Sequence, residues 1–225
     1  MRYKFGVHLM VWSGQVGARE LALLPAIKEM GYDGVEIPIF DPNALDAAAV
    51  RAALAQSGLA CTASTALPEG VSLIDADIAD AGVAWLERTA AATAELGAPV
   101  LCGPLALPVG ERRGRGYTEA EWACCVQSLR RVGRTAEKLG VSLAFEPINR
   151  FETFFLNTAA DGVRLVQEVD SPAVGLLLDT FHMHIEEKST PAAILHSAGH
   201  IKHFHASEND RGTVGSGQVA WAETF

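Results

Sequence analysis

The sequence lacks any run of about 18 apolar residues, so no membrane-spanning helix is expected. It lacks a C-x-x-C pair. Its four cysteines, Cys61, Cys102, Cys124 and Cys125, therefore read as reduced, small residues in or near the core. Positive charge is scarce: 18 Lys and Arg stand against 27 Asp and Glu, a net charge of −9. Such a surface repels phosphate backbones and anionic lipid, which argues against nucleic-acid and membrane-surface partners. The opening Met1–His8 has neither the apolar stretch nor the cleavage site of a signal peptide and reads straight into a strand, so a cytoplasmic location is expected. Glycine (21) and proline (10) are ordinary, which sets aside collagen-like and disordered chains. No linker or low-complexity segment divides the sequence. What is present is 225 residues, 49% hydrophobic, enough for one substantial core. A single domain over residues 1–225 is expected.

The punctuation is regular. Gly31, Gly58, Gly97 and Gly140 each close a helix-like stretch and are followed at once by a short apolar run. Glycine adopts the left-handed conformation that ends a helix at little cost, and short runs apolar on both faces suit buried parallel strands. Strands are predicted near 4–9, 33–38, 59–64, 98–103, 141–146, 174–179 and 200–206. Helices are predicted near 18–30, 44–57, 74–96, 118–139, 159–169 and 190–198, with another starting near 219. Pro25 predicts a late start or a bend in the first helix. Thr118 with Glu121 makes a capping box, and Thr190 before Pro191 reads as another helix start. Alternating strands and helices give an α/β fold with a parallel sheet. The loop 104–117 carries Arg112, Arg113 and Arg115. A solvated loop or subunit contact is favoured there over a phosphate contact.

Polar residues gather where apolar strands stop. Glu146 follows Ala144-Phe145, Asp179 follows Leu176-Leu177-Leu178, and His203 and His205 flank Phe204. Residues two apart on a strand share a face, so both histidines point the same way. Ligands of parallel α/β proteins bind at the carboxyl ends of strands. Glu146, Asp179 and His205 together offer a mixed oxygen and nitrogen donor set that suits Mn²⁺, Mg²⁺ or Co²⁺, with Zn²⁺ also accommodated.

Three segments carry a resemblance. They are Glu146-Pro147-Ile148-Asn149-Arg150-Phe151-Glu152, Leu178-Asp179-Thr180-Phe181-His182-Met183, and His203-Phe204-His205-Ala206-Ser207-Glu208-Asn209-Asp210-Arg211. With Gly6–Trp12 and Met30–Ile37, they resemble the D-tagatose 3-epimerase and D-psicose (allulose) 3-epimerase family, within the xylose-isomerase-like TIM barrels. The resemblance implies a metal-dependent, oligomeric (β/α)₈ barrel, a dimer or tetramer, that inverts C3 of free ketoses. It implies Glu146 as a metal ligand that also exchanges the C3 proton, Asp179 and His205 as further ligands, and Mn²⁺ as the foremost metal. It implies Glu152, His182 and Arg211 as groups that hold substrate oxygens. His8 and Trp12, at the end of the first strand, are candidates for the sugar-lining wall, and Trp12 reads equally as packing at the barrel mouth. Glu36 stays open between a residue standing behind the metal ligands and a simple strand end. Glu208 and Asn209 read as family-like or as loop caps.

The family also uses a second glutamate at the end of strand eight. Residues 219–225 read as the opening of a helix, so the barrel is expected to be incomplete, with about seven strands and no eighth. A fragment of a longer epimerase is favoured over edge pairing with another subunit and over a natural inactive variant. Weakened metal affinity and little 3-epimerase activity are expected of this polypeptide. Competing readings are an aldose–ketose or hydroxypyruvate-type isomerase, a non-catalytic sugar-binding protein, and a metal-dependent DNA-repair endonuclease. The acidic charge and the three-ligand set argue against the last.

Overall fold

The computed structural model of the chain describes residues 3–225. Seven strands form one sheet in sequence order: β1 (Gly6–His8), β2 (Gly34–Pro38), β3 (Ala60–Ser64), β4 (Val100–Gly103), β5 (Ser142–Phe145), β6 (Val174–Asp179) and β7 (Ile201–His205). Every neighbouring pair is parallel. This is the α/β TIM-barrel arrangement with seven strands, and among the described residues there is no eighth. The helices are α1 (Ala18–Leu21), α2 (Leu24–Glu29), α3 (Ala47–Ser57), α4 (Ala79–Leu96), α5 (Glu119–Leu139), α6 (Ala159–Val169), α7 (Thr180–Glu186), α8 (Thr190–Ser197) and α9 (Trp221–Thr224). Among the described residues, no helix is long and apolar enough to cross a membrane.

Strand alternation builds two unlike layers. Val35, Ile37, Leu101, Leu143, Leu176 and Leu178 are buried in the main hydrophobic cluster with the helices. Leu24 and Ile27 of α2, Leu54 of α3, Leu86 of α4 and Leu129 of α5 belong to that same cluster. The inward positions are small or polar, Leu177 excepted. The register runs Glu36↔Thr62, Ser64↔Cys102, Cys102↔Ala144 and Ala144↔Gly175. The helix-facing side is apolar; the inner side is apolar where Cys102, Ala144 and Leu177 pack together and carries the chemistry elsewhere. A register shift between Leu176 and Leu177 pairs Leu177 with His203 and Asp179 with His205. That extra residue on β7 sets the phase that turns both histidines inward.

Local signals explain most boundaries. Gly58, Gly97 and Gly140 close α3, α4 and α5 in the left-handed conformation. The Thr118–Glu121 capping box opens α5. The first predicted helix divides into α1 and α2, because Pro25 lies in the first turn of α2, where its missing N–H costs nothing. At α8 the cap is Ser189, which accepts from the Ala192 N–H, and Pro191 falls one position later than the sequence suggested. Helix α7 follows β6 without a loop: Asp179 ends the strand and caps the helix, its Oδ1 accepting from the Phe181 N–H at 2.8 Å.

The loop 104–117 is solvent-exposed over much of 109–116 but pinned at two of its three arginines. The Arg113 guanidinium donates to Glu111 (2.7 Å), Glu121 (2.6 Å) and Asp75 (2.6 Å) and lies over the Phe154 ring. Arg115 donates two hydrogen bonds to Glu121. Both cations are taken up within the chain.

Candidate active site

The carboxyl ends of β5, β6 and β7 bring Glu146, Asp179, His182, His205 and Arg211 together. Glu146 leaves β5 directly, and Asp179 and His205 are the last residues of β6 and β7. His182 lies on the first turn of α7, and Arg211 on the loop after β7. Glu146, Asp179 and His182 are all buried, and each offers a donor atom within 4.8 Å of the others. The His205 Nδ1 is 3.9 Å from Glu146 Oε1 and 3.8 Å from Asp179 Oδ2.

Hydrogen bonds assign opposite roles to the two imidazoles. His205 Nε2 is 2.8 Å from Glu36 Oε1, a carboxylate oxygen that can only accept from it. The hydrogen is therefore on Nε2, and Nδ1 faces the two carboxylates. In His182 it is Nδ1 that accepts, from the Asn149 backbone N–H at 3.1 Å and from Asn149 Nδ2 at 2.9 Å. The Asn149 amide orientation is fixed because its Oδ1 accepts from the Phe151 N–H. With Nδ1 taken by Asn149, His182 turns Nε2 into the site, 3.6 Å from Glu146 Oε1 and 3.3 Å from Arg211 Nη2.

Charges follow the burial. Burial pushes the Glu146 carboxyl above its usual range; the His205 charge opposes this and the Asp179 charge adds to it. Burial lowers the His182 pKa. For His205 burial also works against charge, but the Glu36 hydrogen bond and the surrounding carboxylates prevail and push it up to about 9. Arg211 donates to Asp179 Oδ2 at 2.9 Å and stacks over Phe181 at 3.8 Å. Its φ of 59° is left-handed, an uncommon conformation for a residue with a side chain and one that clusters at functional sites. Ser207 Oγ donates to the same Asp179 oxygen. Thr180 Oγ1 donates to the Ser207 carbonyl and accepts its N–H, tying the start of α7 to the loop that carries Arg211.

Two buried carboxylates and a ring nitrogen aimed at one point fit a divalent cation in kind. They also fit in spacing. Ligands bound at ~2.1 Å around one ion stand ~3.0–3.6 Å apart; the two His205 separations, 3.9 and 3.8 Å, are a few tenths of an ångström wider, and Glu146 and Asp179 offer oxygens within 4.8 Å of each other. Three ligands leave coordination positions for substrate oxygens.

The remaining candidates lie around this group. Glu152 follows in the loop after β5, and its charge acts on His182. His8 ends β1, where Nδ1 accepts from the Met10 N–H and Nε2 faces Ser64 Oγ at 2.8 Å and Glu36 at 3.2 Å. It therefore belongs to the Glu36 group. Trp12 follows a short 3₁₀ turn after β1 and is 46% exposed, open enough to meet a ligand at the mouth. Glu208 caps its loop, accepting from the N–H groups of Gly215 and Val219 and from the Trp221 indole. The supporting residues Asn149, Ser207, Thr62 and Cys102 were not singled out by sequence. For Thr62 and Cys102 the available signal was strand phase, since both share the inward face with Glu36.

A parallel barrel sheet with acids and histidine at three successive strand ends, where the donors could hold a metal ion, defines a TIM-barrel class. Residues 24–225 match the model of the xylose isomerase-like TIM-barrel family. A probable ketose 3-epimerase of Synechocystis sp. is 36% identical over 226 residues, covering 100% of this chain and 79% of that protein. An L-ribulose 3-epimerase of Mesorhizobium japonicum is 36% identical, covering 99% of this chain and 75% of that one. The crystal structure of a D-allulose 3-epimerase from Methylomonas sp. superposes with a TM-score of 0.93 at 29% identity, covering 99% of this chain and 79% of that one. The chain belongs to the ketose 3-epimerase family of xylose isomerase-like TIM barrels.

Proposed function

We propose that the chain acts on a free ketose at C3, with Glu146, Asp179 and His205 holding a divalent cation, Mn²⁺ foremost, and Glu146 moving the C3 proton. The observation that carries this reading is the convergence of those three donors beside His182 and Arg211, in a chain alike to 3-epimerases over its whole length. A bound divalent cation would draw electron density from the ketone and the neighbouring hydroxyl, making the C3 hydrogen acidic. The protein's own groups do the rest. Glu146 sits in a buried setting that raises its basicity, which matches it to a weak carbon acid. His182, with Nε2 directed into the site, holds a substrate oxygen as charge develops in the enediolate. Arg211 offsets charge and orients the oxygens from the side of Asp179. Glu152, His8 and Trp12 line the sugar pocket. The substrate is neutral, which agrees with an acidic chain.

Inversion needs a second acid or base on the other face of C3. The nearby carboxylates are committed: Asp179 to the cation, Glu36 to a cluster of histidines, and Glu152 to holding substrate oxygens. We therefore propose that this 225-residue polypeptide exchanges the C3 proton better than it inverts C3. It is further proposed to be a single cytoplasmic domain that assembles as a homo-oligomer. The experiment is incubation of the Mn²⁺-loaded chain with D-fructose, D-psicose and L-ribulose in D₂O. Deuterium at C3 by NMR, in excess of epimer by chromatography, is expected. Deuterium at C1 with aldose formation would favour a C1–C2 isomerase. Binding by calorimetry with no exchange at all would favour a sugar-binding protein.

A further inference from the structure

The inner face of the barrel holds a second polar cluster, with the Glu36 carboxylate at its centre. Glu36 is buried on β2. Its Oε1 takes His205 Nε2 at 2.8 Å and faces His8 Nε2 at 3.2 Å. Its Oε2 takes His203 Nε2 at 2.7 Å, Thr62 Oγ1 at 2.8 Å and the Cys102 thiol at 3.3 Å. Donors from β1, β3, β4 and β7 thus fix both oxygens, so the carboxylate can neither rotate nor withdraw. The His205 ring is the one group that belongs to both clusters. One nitrogen is spent on Glu36, and the other faces Glu146 and Asp179.

We infer that Glu36 is a positioning residue: by holding His205 through Nε2 it locks the ring orientation and reserves Nδ1 for the cation. This rests on the proposed reading of His205 as a metal ligand. A carboxylate behind an imidazole fixes the tautomer and strengthens the ring as a ligand, and removing such a partner typically costs 10–100-fold in metal affinity. The same groups could instead be a satisfied polar plug, or Glu36, Cys102, His203 and His205 could themselves take a cation, since each offers a donor atom within 4.8 Å of the others.

The test titrates Mn²⁺ into the metal-free chain, comparing wild type with E36Q, T62V and H205A, alongside thermal melts without metal. Wild type should bind one equivalent, and E36Q about 10- to 100-fold more weakly. T62V removes a hydrogen bond from the other oxygen of the same carboxylate, so it should lower the melting temperature while changing affinity less than about threefold. ¹⁵N-histidine NMR of the wild-type chain loaded with diamagnetic Zn²⁺ should show His205 protonated on Nε2, a readout that needs no variant to fold. E36Q binding as tightly as wild type, T62V losing as much affinity as E36Q, two equivalents bound, or a hydrogen on His205 Nδ1 in the Zn²⁺-loaded chain would each overturn the inference. If H205A binds Mn²⁺ like wild type, the parent reading of His205 fails first, and the two failures are told apart.

Discussion

Asp179→Asn separates metal binding from folding. Asp179 has two jobs on two oxygens. Oδ1 accepts from the Phe181 N–H and caps α7, while Oδ2 meets Arg211 at 2.9 Å and faces His205 at 3.8 Å. Asparagine caps helices about as well as aspartate, so its carbonyl can keep the α7 cap. Its NH₂ group then replaces the oxygen that faces the cation. Arg211 loses a charge-assisted hydrogen bond, and Glu146 loses a like-charged neighbour. These effects oppose each other, so metal-free stability should change by no more than about 1 kcal/mol, or ~2–4 °C for a chain of this size. Metal-linked stability behaves differently. A cation at 100 times its dissociation constant stabilises the folded chain by ~2.7 kcal/mol, or ~5–11 °C. Losing a direct ligand should cost at least the ~100-fold seen for removal of an outer partner, which cancels most of that gain. The assay is a pair of melts, with and without Mn²⁺, for wild type and D179N. A D179N chain that melts like wild type without metal and keeps its full Mn²⁺-dependent rise would refute the assignment.

Other outcomes follow from particular contacts. Arg113→Ala removes the hub joining Glu111, Glu121 and Asp75. It should lower stability by ~1.5–3 kcal/mol with Mn²⁺ affinity unchanged, measured by urea unfolding and metal titration. Gly103→Ala should destabilise by at least ~1–3 kcal/mol, because φ is 133° and a Cβ would meet the Thr65 carbonyl; circular dichroism melts check this. The metal-free chain should lose stability as pH rises from about 6.5 through about 9, since His205 holds its proton more tightly folded than unfolded. Over the same range Mn²⁺ affinity should rise, because the cation displaces that proton. Melting temperatures at pH 6 and 9.5, compared with His205→Ala, give the sign.

Much of this was legible in the chain. Glu146, Asp179 and His205 stood out because each ends an apolar run, and a parallel sheet collects strand ends on one side. Gly58, Gly97 and Gly140 marked helix ends because glycine takes up at little cost the left-handed conformation that satisfies the last carbonyls there. The Glu36 cluster was harder to see. Its partners come from strands far apart in sequence, and Cys102 looks like core until its strand phase is known. The inward turn of His203 depends on the register shift beside Leu177, which no local pattern announces. Helix α7 was missed because Thr180–Glu186 has no amphipathic repeat and starts on a strand residue. The pinning of the arginine loop was hidden in part because one of its three counter-charges, Asp75, lies 38 residues away from Arg113.

The central claim is that one divalent cation sits where β5, β6 and β7 end. Anomalous diffraction at the manganese edge, on crystals of the chain grown with Mn²⁺, addresses it directly. The account requires a single strong peak bounded by a Glu146 oxygen, an Asp179 oxygen and His205 Nδ1. A featureless map at that point, or a peak on the Glu36 and His203 side of the His205 ring, would contradict it.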